Sequence, residues 1–143
     1  RLCTLETFNQ YNDKAFAFLR GAQRFRNNNE NTMAAFMLQQ TCEFAYRSLI
    51  LAFNGKDIKS HDLTELRKHI AIYEPQIMGL FNSKIKKETS LLTLLNETYV
   101  KARYDLDYQI GDTELTVLIE ATRNLLGGVK RLLEPYLVVS TLK

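Results

Sequence analysis

The sequence predicts an all-α protein, an up-and-down bundle of four long helices plus one or two short helices. Apolar residues recur at helical spacing along most of the chain, and no segment alternates apolar and polar residues as a strand does. The 143 residues include only 2 Pro and 6 Gly, and no Pro/Gly/Ser-rich linker divides them. We therefore expect a single helical domain over residues 1–143.

The first two helices are expected on either side of an asparagine turn. The first covers residues 4–26 and ends at the asparagine run 27–29, because asparagine favours turns and left-handed backbone. The second begins at Asn31 or Thr32, either of which is a good helix cap, and ends just before Gly55, a typical helix stop.

The rest of the chain predicts two short and two long elements. They are a short helix at 61–73, a turn or brief helix at 75–81, a long helix from Lys84 or Ser90 to Tyr104, and a last long helix from the N-cap Asp112 through Tyr136. Gly127 and Gly128 lie inside the last helix at a propensity cost of about 1 kcal/mol each, which the close approach of a neighbouring helix would offset.

The second helix has apolar residues on two nearly opposite sides. One side carries Ala35, Leu38, Cys42, Ala45, Leu49 and Phe53, and the other carries Met33, Met37, Phe44 and Leu51. A helix that is apolar on two sides is buried on two sides. We therefore expect this helix to be central to the bundle or covered by a partner subunit.

Between those sides, Gln40, Glu43 and Arg47 form a narrow polar strip at positions i, i+3 and i+7. Two interpretations are open. In one, the strip faces solvent, and Glu43 and Arg47 form a surface ion pair worth about 0.2–0.5 kcal/mol. In the other, the strip faces a cleft shared with His61 and Arg103, where the polar groups satisfy one another and leave donors for a ligand.

The penultimate helix places Arg103 between two aromatic residues, Tyr99 and Tyr104. This arrangement suits phosphate contact combined with base stacking, and it is equally a common structural pairing of a cation with aromatic rings. His61 also has a structural explanation, since it precedes Asp62 at the start of the third helix, where Asp62 and Glu65 resemble a capping box.

Taken in order, three motifs resemble the HEPN domain (higher eukaryotes and prokaryotes nucleotide-binding). They are Phe36-x-x-x-Gln40-x-x-Glu43-x-x-x-Arg47, His61-Asp62-Leu63-x-x-Leu66 and Tyr99-x-x-x-Arg103-Tyr104. The resemblance covers residues 31–137 and looks like the branch found beside minimal nucleotidyltransferases and in sacsin-type proteins.

The resemblance implies a helical bundle that forms a homodimer, binds a nucleotide or RNA, and works with a nucleotidyltransferase domain or protein in a toxin–antitoxin-like pairing. Arg1 would then begin the C-terminal part of a longer chain. The residues implied to bind nucleotide or phosphate are Gln40, Glu43, Arg47, His61, Tyr99, Arg103 and Tyr104.

The chain departs from the ribonucleases of this family, which use an arginine followed after four to six residues by a histidine on a late helix. No histidine follows Arg103, and neither His61 nor His69 has an arginine five to seven residues before it. Asp105 and Arg47 also replace the proline and lysine usual in the related branch. The leading hypothesis is therefore a non-catalytic binding domain. The alternatives are a divergent ribonuclease with His61 across a groove from Arg103, and a structural dimerisation module that uses the second helix.

Composition excludes several other classes. Two Cys and two His lack the spacing of metal ligands, so neither a metal nor a cofactor is expected. No run approaches the roughly 18–20 apolar residues needed to cross a bilayer. The start of the chain has no signal-peptide core, and a cytoplasmic protein is the expectation.

Overall fold

The computed structural model describes residues 5–82 and 89–141, and every regular element within these ranges is a helix. The elements are α1 (Leu5–Asn27), α2 (Asn31–Asn54), α3 (Leu63–Ala71), a short 3₁₀ helix (Pro75–Gly79), α4 (Thr89–Tyr104) and α5 (Asp112–Thr141). The predicted bundle of four long helices with short elements between them is confirmed. The predicted starts at Thr4 and Lys84 lie outside the described residues.

Two left-handed residues set the ends of α1 and α2. Asn29 has a φ of 61° in the turn after α1, as the asparagine run predicts. Gly55 has a φ of 78° after α2, and its N–H donates to the Leu51 carbonyl at 2.9 Å. Glycine adopts this backbone without a Cβ clash, so the stop predicted for α2 is confirmed.

α2 lies at the centre of the bundle. It packs along α1 and against α5, α3 and α4. Leu38, Ala45 and Leu49 on one side are almost fully buried, and they belong to the same apolar core as Leu118 of α5. The prediction that α2 is central to the bundle is therefore confirmed.

The second apolar side of α2 is partly covered by α1 of the same chain. The Phe44 ring lies 6.0 Å from the Tyr11 ring and 5.7 Å from the Phe18 ring, measured between ring centres. A Cβ on Gly21 would lie 3.5 Å from Met37 Sδ, so the two helices approach closely there. α1 therefore covers this side in part and leaves Met37 and Phe44 half-buried, and a dimer face here stays a prediction.

The caps predicted for α2 and α5 are wrong by one residue. Glu30 precedes α2 without a side-chain cap, and Asp112 is already the first residue of α5. Asn31 Nδ2 instead donates to Asp112 Oδ1 at 2.7 Å, and Thr32 Oγ1 donates to the Tyr108 carbonyl at 3.1 Å. These side chains therefore tie the start of α2 to the segment that leads into α5, a long-range role that local sequence does not reveal.

The N-terminus of α3 has the predicted cap, Asp62. Its Oδ1 accepts from the N–H groups of Thr64 at 3.0 Å and Glu65 at 3.3 Å. In the predicted capping box, Glu65 would bond the Asp62 N–H directly. The Ser60 hydroxyl mediates this link instead: it donates to Glu65 Oε1 at 2.6 Å and accepts from the Asp62 N–H at 3.1 Å. The three side chains together fix the direction in which the chain enters α3.

Gly128 in α5 provides room for Leu80, which follows the 3₁₀ helix. A Cβ at this position would lie 2.9 Å from Leu80 Cγ and closer still to both Cδ atoms. Gly127 is exposed, and the nearest atom to a Cβ there would be Arg131 Nη1 at 3.5 Å. The sequence predicts the close approach of a neighbouring helix at both glycines. The structure shows a close neighbour at Gly128 but not at Gly127, and that neighbour is the side chain of Leu80 rather than a packed helix.

Candidate functional site

The centre of the candidate site is the Glu43 carboxylate, whose residue is 2% exposed. Its Oε2 accepts from Arg47 Nη1 at 3.0 Å, and its Oε1 accepts from His61 Nδ1 at 2.7 Å. The amides of Gln40 and Gln39 approach Oε1 more loosely, at 3.4 Å and 3.5 Å. A buried carboxylate is costly unless donors and a positive charge compensate it, and these groups do so. The interpretation of a solvent-facing strip is therefore wrong.

Arg47 is held between two carboxylates. Its Nε donates to Asp57 Oδ1 at 3.0 Å and its Nη2 to Asp57 Oδ2 at 2.6 Å, while its Nη1 donates to Glu43. The Tyr11 hydroxyl also donates to Asp57 Oδ2, at 2.9 Å. The bidentate hydrogen bonding raises the pKa of Arg47 and lowers the pKa of Asp57 below its usual range. All three guanidinium nitrogens are therefore engaged within the protein.

The segment 55–62 between α2 and α3 places His61 beside the Glu43 carboxylate. Gln39 Nε2 donates to the His61 carbonyl at 3.0 Å, and Asp62 next in the chain is fixed by capping α3. The imidazole side chain itself is 57% exposed. Because the Glu43 carboxylate accepts, His61 Nδ1 carries the proton between them, and Nε2 of the neutral ring is a hydrogen-bond acceptor.

A row of aromatic rings continues from His61 onto α4. The Tyr99 ring stacks on His61 at 4.4 Å and on Phe36 at 5.7 Å, with interplanar angles of 20° and 14°. The guanidinium carbon of Arg103 lies 4.2 Å from the Tyr99 ring centre and 5.0 Å from that of Tyr104. Arg103 Nε donates to the Tyr99 carbonyl at 3.0 Å, and its two Nη atoms make no hydrogen bond to a described residue.

A cavity of about 340 Å³ lies beside these rings and is lined by His61, Asp62, Asn96, Tyr99 and Val100. This volume falls at the small end of the range of about 300–1,000 Å³ typical of ligand sites. Asn96 Nδ2 donates to Asp62 Oδ1 at 3.1 Å, so α4 and the start of α3 form one continuous wall.

Six of the seven residues predicted for the site join one chain of contacts. Gln40 and Arg47 each donate to Glu43, and the contacts continue from Glu43 through His61 and Tyr99 to Arg103. The seventh, Tyr104, is 74% exposed and contacts this chain through the Arg103 guanidinium. The two arginines do not lie together, since Arg103 reaches Glu43 only through Tyr99 and His61. Both guanidinium groups lie over aromatic rings, Arg47 over Phe44 at 4.9 Å and Arg103 over Tyr99 at 4.2 Å, but only Arg47 is also paired with carboxylates of described residues.

Sequence reasoning missed several residues of this region, among them Gln39, Asp57, Asn96, and Asp62 as a cavity wall. Asn96 could have been found, because it lies three residues before Tyr99 on the same face of α4. Asp57 belongs to an irregular connection, where no periodicity indicates which side chain returns to the site.

Two negative findings apply to the described parts of the chain. Residues 5–82 and 89–141 contain no group of three His, Cys, Asp or Glu side chains that could hold a metal ion. Their helices include none with the length and apolar character of a membrane span.

The family model of the HEPN domain matches residues 9–132, which is most of the chain and includes every residue of the candidate site. The chain belongs to the HEPN domain family. A comparison with curated proteins gives no match. The crystal structure of TT1696 from Thermus thermophilus is similar to this HEPN domain, with a TM-score of 0.63 and 19% sequence identity over 87% of this chain and 96% of that one. At this identity the similarity shows the fold alone.

Proposed function

We propose that this HEPN domain is a non-catalytic module that binds a nucleotide or a nucleic-acid phosphate in the groove between the His61 segment and α4. The observation that carries the proposal is the Arg103 guanidinium, stacked 4.2 Å above Tyr99, a residue that also lines the cavity. Arginine recognises phosphate through paired N–H donors, and aromatic rings stack on bases. Both chemistries are present at adjacent positions of one helix face.

The remaining site residues divide into contacts and supports. Arg103 contacts the phosphate with its Nη donors, and the exposed Tyr104 ring offers a stacking surface for a base. Arg47 has all three nitrogens engaged by carboxylates, so we assign it a positioning role in which it holds Glu43. Glu43 in turn orients His61.

The spacing of these groups suits one small ligand. The His61 ring centre lies 4.4 Å and the Arg103 guanidinium carbon 4.2 Å from the Tyr99 ring centre. The two groups therefore cannot be farther apart than the sum of these distances, 8.6 Å. A single nucleotide is long enough to contact both.

Titration with ATP or GTP, followed by NMR signals of Tyr104 and the Arg103 Nε–H, tests the proposal. Millimolar ligand should shift both signals in the wild type, and Arg103→Ala should abolish binding. Lys101→Ala is the matched control, because Lys101 is an exposed cation two residues away on the same helix, paired with Glu97 at 3.4 Å. The control should retain binding.

Two results would contradict the proposal. One is the absence of any shift at several millimolar ligand. The other is an equal loss of affinity in both variants, which would indicate attraction by net charge rather than a site.

The Glu43–His61 hydrogen bond favours a second candidate, metal-independent RNA cleavage. A histidine oriented by a carboxylate can accept a proton from the attacking hydroxyl, and Arg103 would stabilise charge on the phosphate. Incubation of labelled RNA with the wild type and with His61→Ala tests it. Identical cleavage backgrounds would exclude this candidate without affecting the binding proposal.

Homodimerisation, cytoplasmic location and association with a nucleotidyltransferase remain predictions that accompany the proposed function. Sedimentation of the purified domain tests the first. The gene context of the chain tests the last, because a nucleotidyltransferase segment or neighbour should precede it.

A further inference from the structure

The two oxygens of the Asp62 carboxylate have different surroundings. Oδ1 accepts three hydrogen bonds, from the N–H groups of Thr64 and Glu65 and from Asn96 Nδ2 at 3.1 Å. Oδ2 accepts none from any residue that the structure describes, although Asp62 lines the cavity beside His61. A carboxylate has acceptor capacity on both oxygens, so one half of this group performs the helix cap and the other half is unused.

We propose that Asp62 selects the ligand of this site, by accepting a hydrogen bond at Oδ2 from the ribose 2′-hydroxyl or from a base amino group of a nucleotide. The inference rests on the proposed nucleotide-binding function and adds a specificity-determining residue to it. Nucleotides carry other donors, the ribose 3′-hydroxyl and ring N–H groups of some bases, which are not assigned to Asp62.

The carboxylate is held rigidly enough to act as a selector. Asn96 donates to both Asp62 and Thr64, and its own Oδ1 accepts from the Leu63 N–H at 2.8 Å. These bonds join α4 to the first turn of α3, so Oδ1 cannot turn away without leaving several groups unpaired. The position of Oδ2 follows from that of Oδ1.

The hydrogen-bond acceptors that line the cavity, Asp62 and His61, favour a ligand that carries hydrogen-bond donors. His61 Nε2 is a second acceptor when the ring is neutral, because its Nδ1 proton is directed to Glu43. The negative charge of Asp62 repels a phosphate, whereas Arg103, which lies over the Tyr99 ring, attracts one. The ligand is thereby oriented with its phosphate at Arg103 and its donor-bearing part at Asp62.

Affinity measurements on four nucleotides and inorganic phosphate test the proposal by calorimetry. AMP against 2′-deoxy-AMP isolates the ribose hydroxyl, and GMP against IMP isolates an exocyclic amino group of the base. In the wild type, removal of the recognised donor should weaken binding about tenfold, the effect expected for a hydrogen bond to a charged group.

Two variants at Asp62 are designed to keep the fold. Both Asp62→Asn and Asp62→Ser retain a side chain that caps α3 well, so folding is preserved while the free carboxylate oxygen is lost. Each should reduce the tenfold discrimination to near onefold and leave the affinity for inorganic phosphate equal or higher. Glu65→Gln is the control, because it removes the same charge from the same turn at a residue outside the cavity lining, and it should keep the discrimination.

The outcomes separate this inference from the function on which it rests. The selector role is refuted, and the binding function stands, if nucleotides bind but the ratio of affinities within each pair is the same in the wild type and in the Asp62 variants. If no nucleotide or phosphate binds the wild type at several millimolar, both are refuted. Loss of discrimination in one pair alone supports the role and identifies which donor Asp62 recognises.

Discussion

Replacement of Glu43 by glutamine should reverse the protonation pattern of His61. In the wild type the carboxylate accepts from Arg47 Nη1 at 3.0 Å and from His61 Nδ1 at 2.7 Å. A glutamine side chain has one acceptor oxygen and one donor amide. Because the guanidinium can only donate, the oxygen should face Arg47 and the amide should face His61. The neutral imidazole should then carry its proton on Nε2 and accept at Nδ1.

The cost in stability follows from the two hydrogen bonds whose acceptor loses its negative charge. The bond to His61 becomes neutral and loses about 1 kcal/mol, because hydrogen bonds to charged groups contribute about 1.5–3 kcal/mol and neutral ones about 0.5–1.5 kcal/mol. The bond to Arg47 keeps its charged donor and therefore loses less. Arg47 keeps Asp57, and the penalty of about 3–5 kcal/mol for an unpaired buried charge does not arise. We expect Glu43→Gln to destabilise the domain by about 1–2 kcal/mol and to lower Tm by about 3–7 °C.

Two measurements check this reasoning. Nitrogen-15 NMR of the histidine ring reports which nitrogen carries the proton, and chemical unfolding reports the stability. Glu97→Gln is the matched control, since Glu97 is exposed and pairs with Lys101 at the surface, and it should cost less than about 0.5 kcal/mol. An unchanged Nδ1–H tautomer in Glu43→Gln, or a loss of stability no greater than that of the control, would refute the reasoning.

Three further predictions concern the fold. The lowered pKa of Asp57 means that its pairing with Arg47 stabilises the domain fully above the unfolded-state pKa of about 3.9. This contribution is lost as pH falls from there through the folded-state pKa, so Asp57→Asn should cost less stability at pH 3 than at pH 7. An equal cost at both pH values in unfolding experiments would contradict it. Gly127→Ala should stabilise α5 by up to about 1 kcal/mol, because alanine has the higher helix propensity. Gly128→Ala should not, because the Leu80 side chain fills that space. Equal gains in Tm for the two variants would show that Leu80 moves freely. Phe44→Ala should cost about 2–4 kcal/mol without changing the sedimenting mass, and a lower mass at unchanged stability would support the dimer-face interpretation.

Local chemistry was enough to predict most of the fold. Helical periodicity, an asparagine turn and a glycine stop identify α1 and α2, because each depends on residues that are neighbours in the chain. The two-sided apolar pattern of α2 likewise predicts its central position. The caps at Asn31 and Asp112 were wrong because these side chains bond to each other across the bundle, at 2.7 Å, rather than to their own helix ends.

The candidate site likewise has one part that local sequence predicts and another that depends on long-range contacts. Residue spacing alone predicts that Gln40, Glu43 and Arg47 share one strip of a helix, and that Arg103 follows Tyr99 by one turn, because helical geometry fixes both relations. Family resemblance then placed these positions in one domain.

The packing of the helices determines what these groups contact. It buries Glu43 and pairs Arg47 with Asp57. Arg103 is also an arginine on a helix, but its Nη donors make no hydrogen bond to a described residue. The two arginines differ because the partner of a charged group depends on which distant segment approaches it. Asp57 lies in an irregular connection, and its return to Arg47 has no periodic signature in the chain.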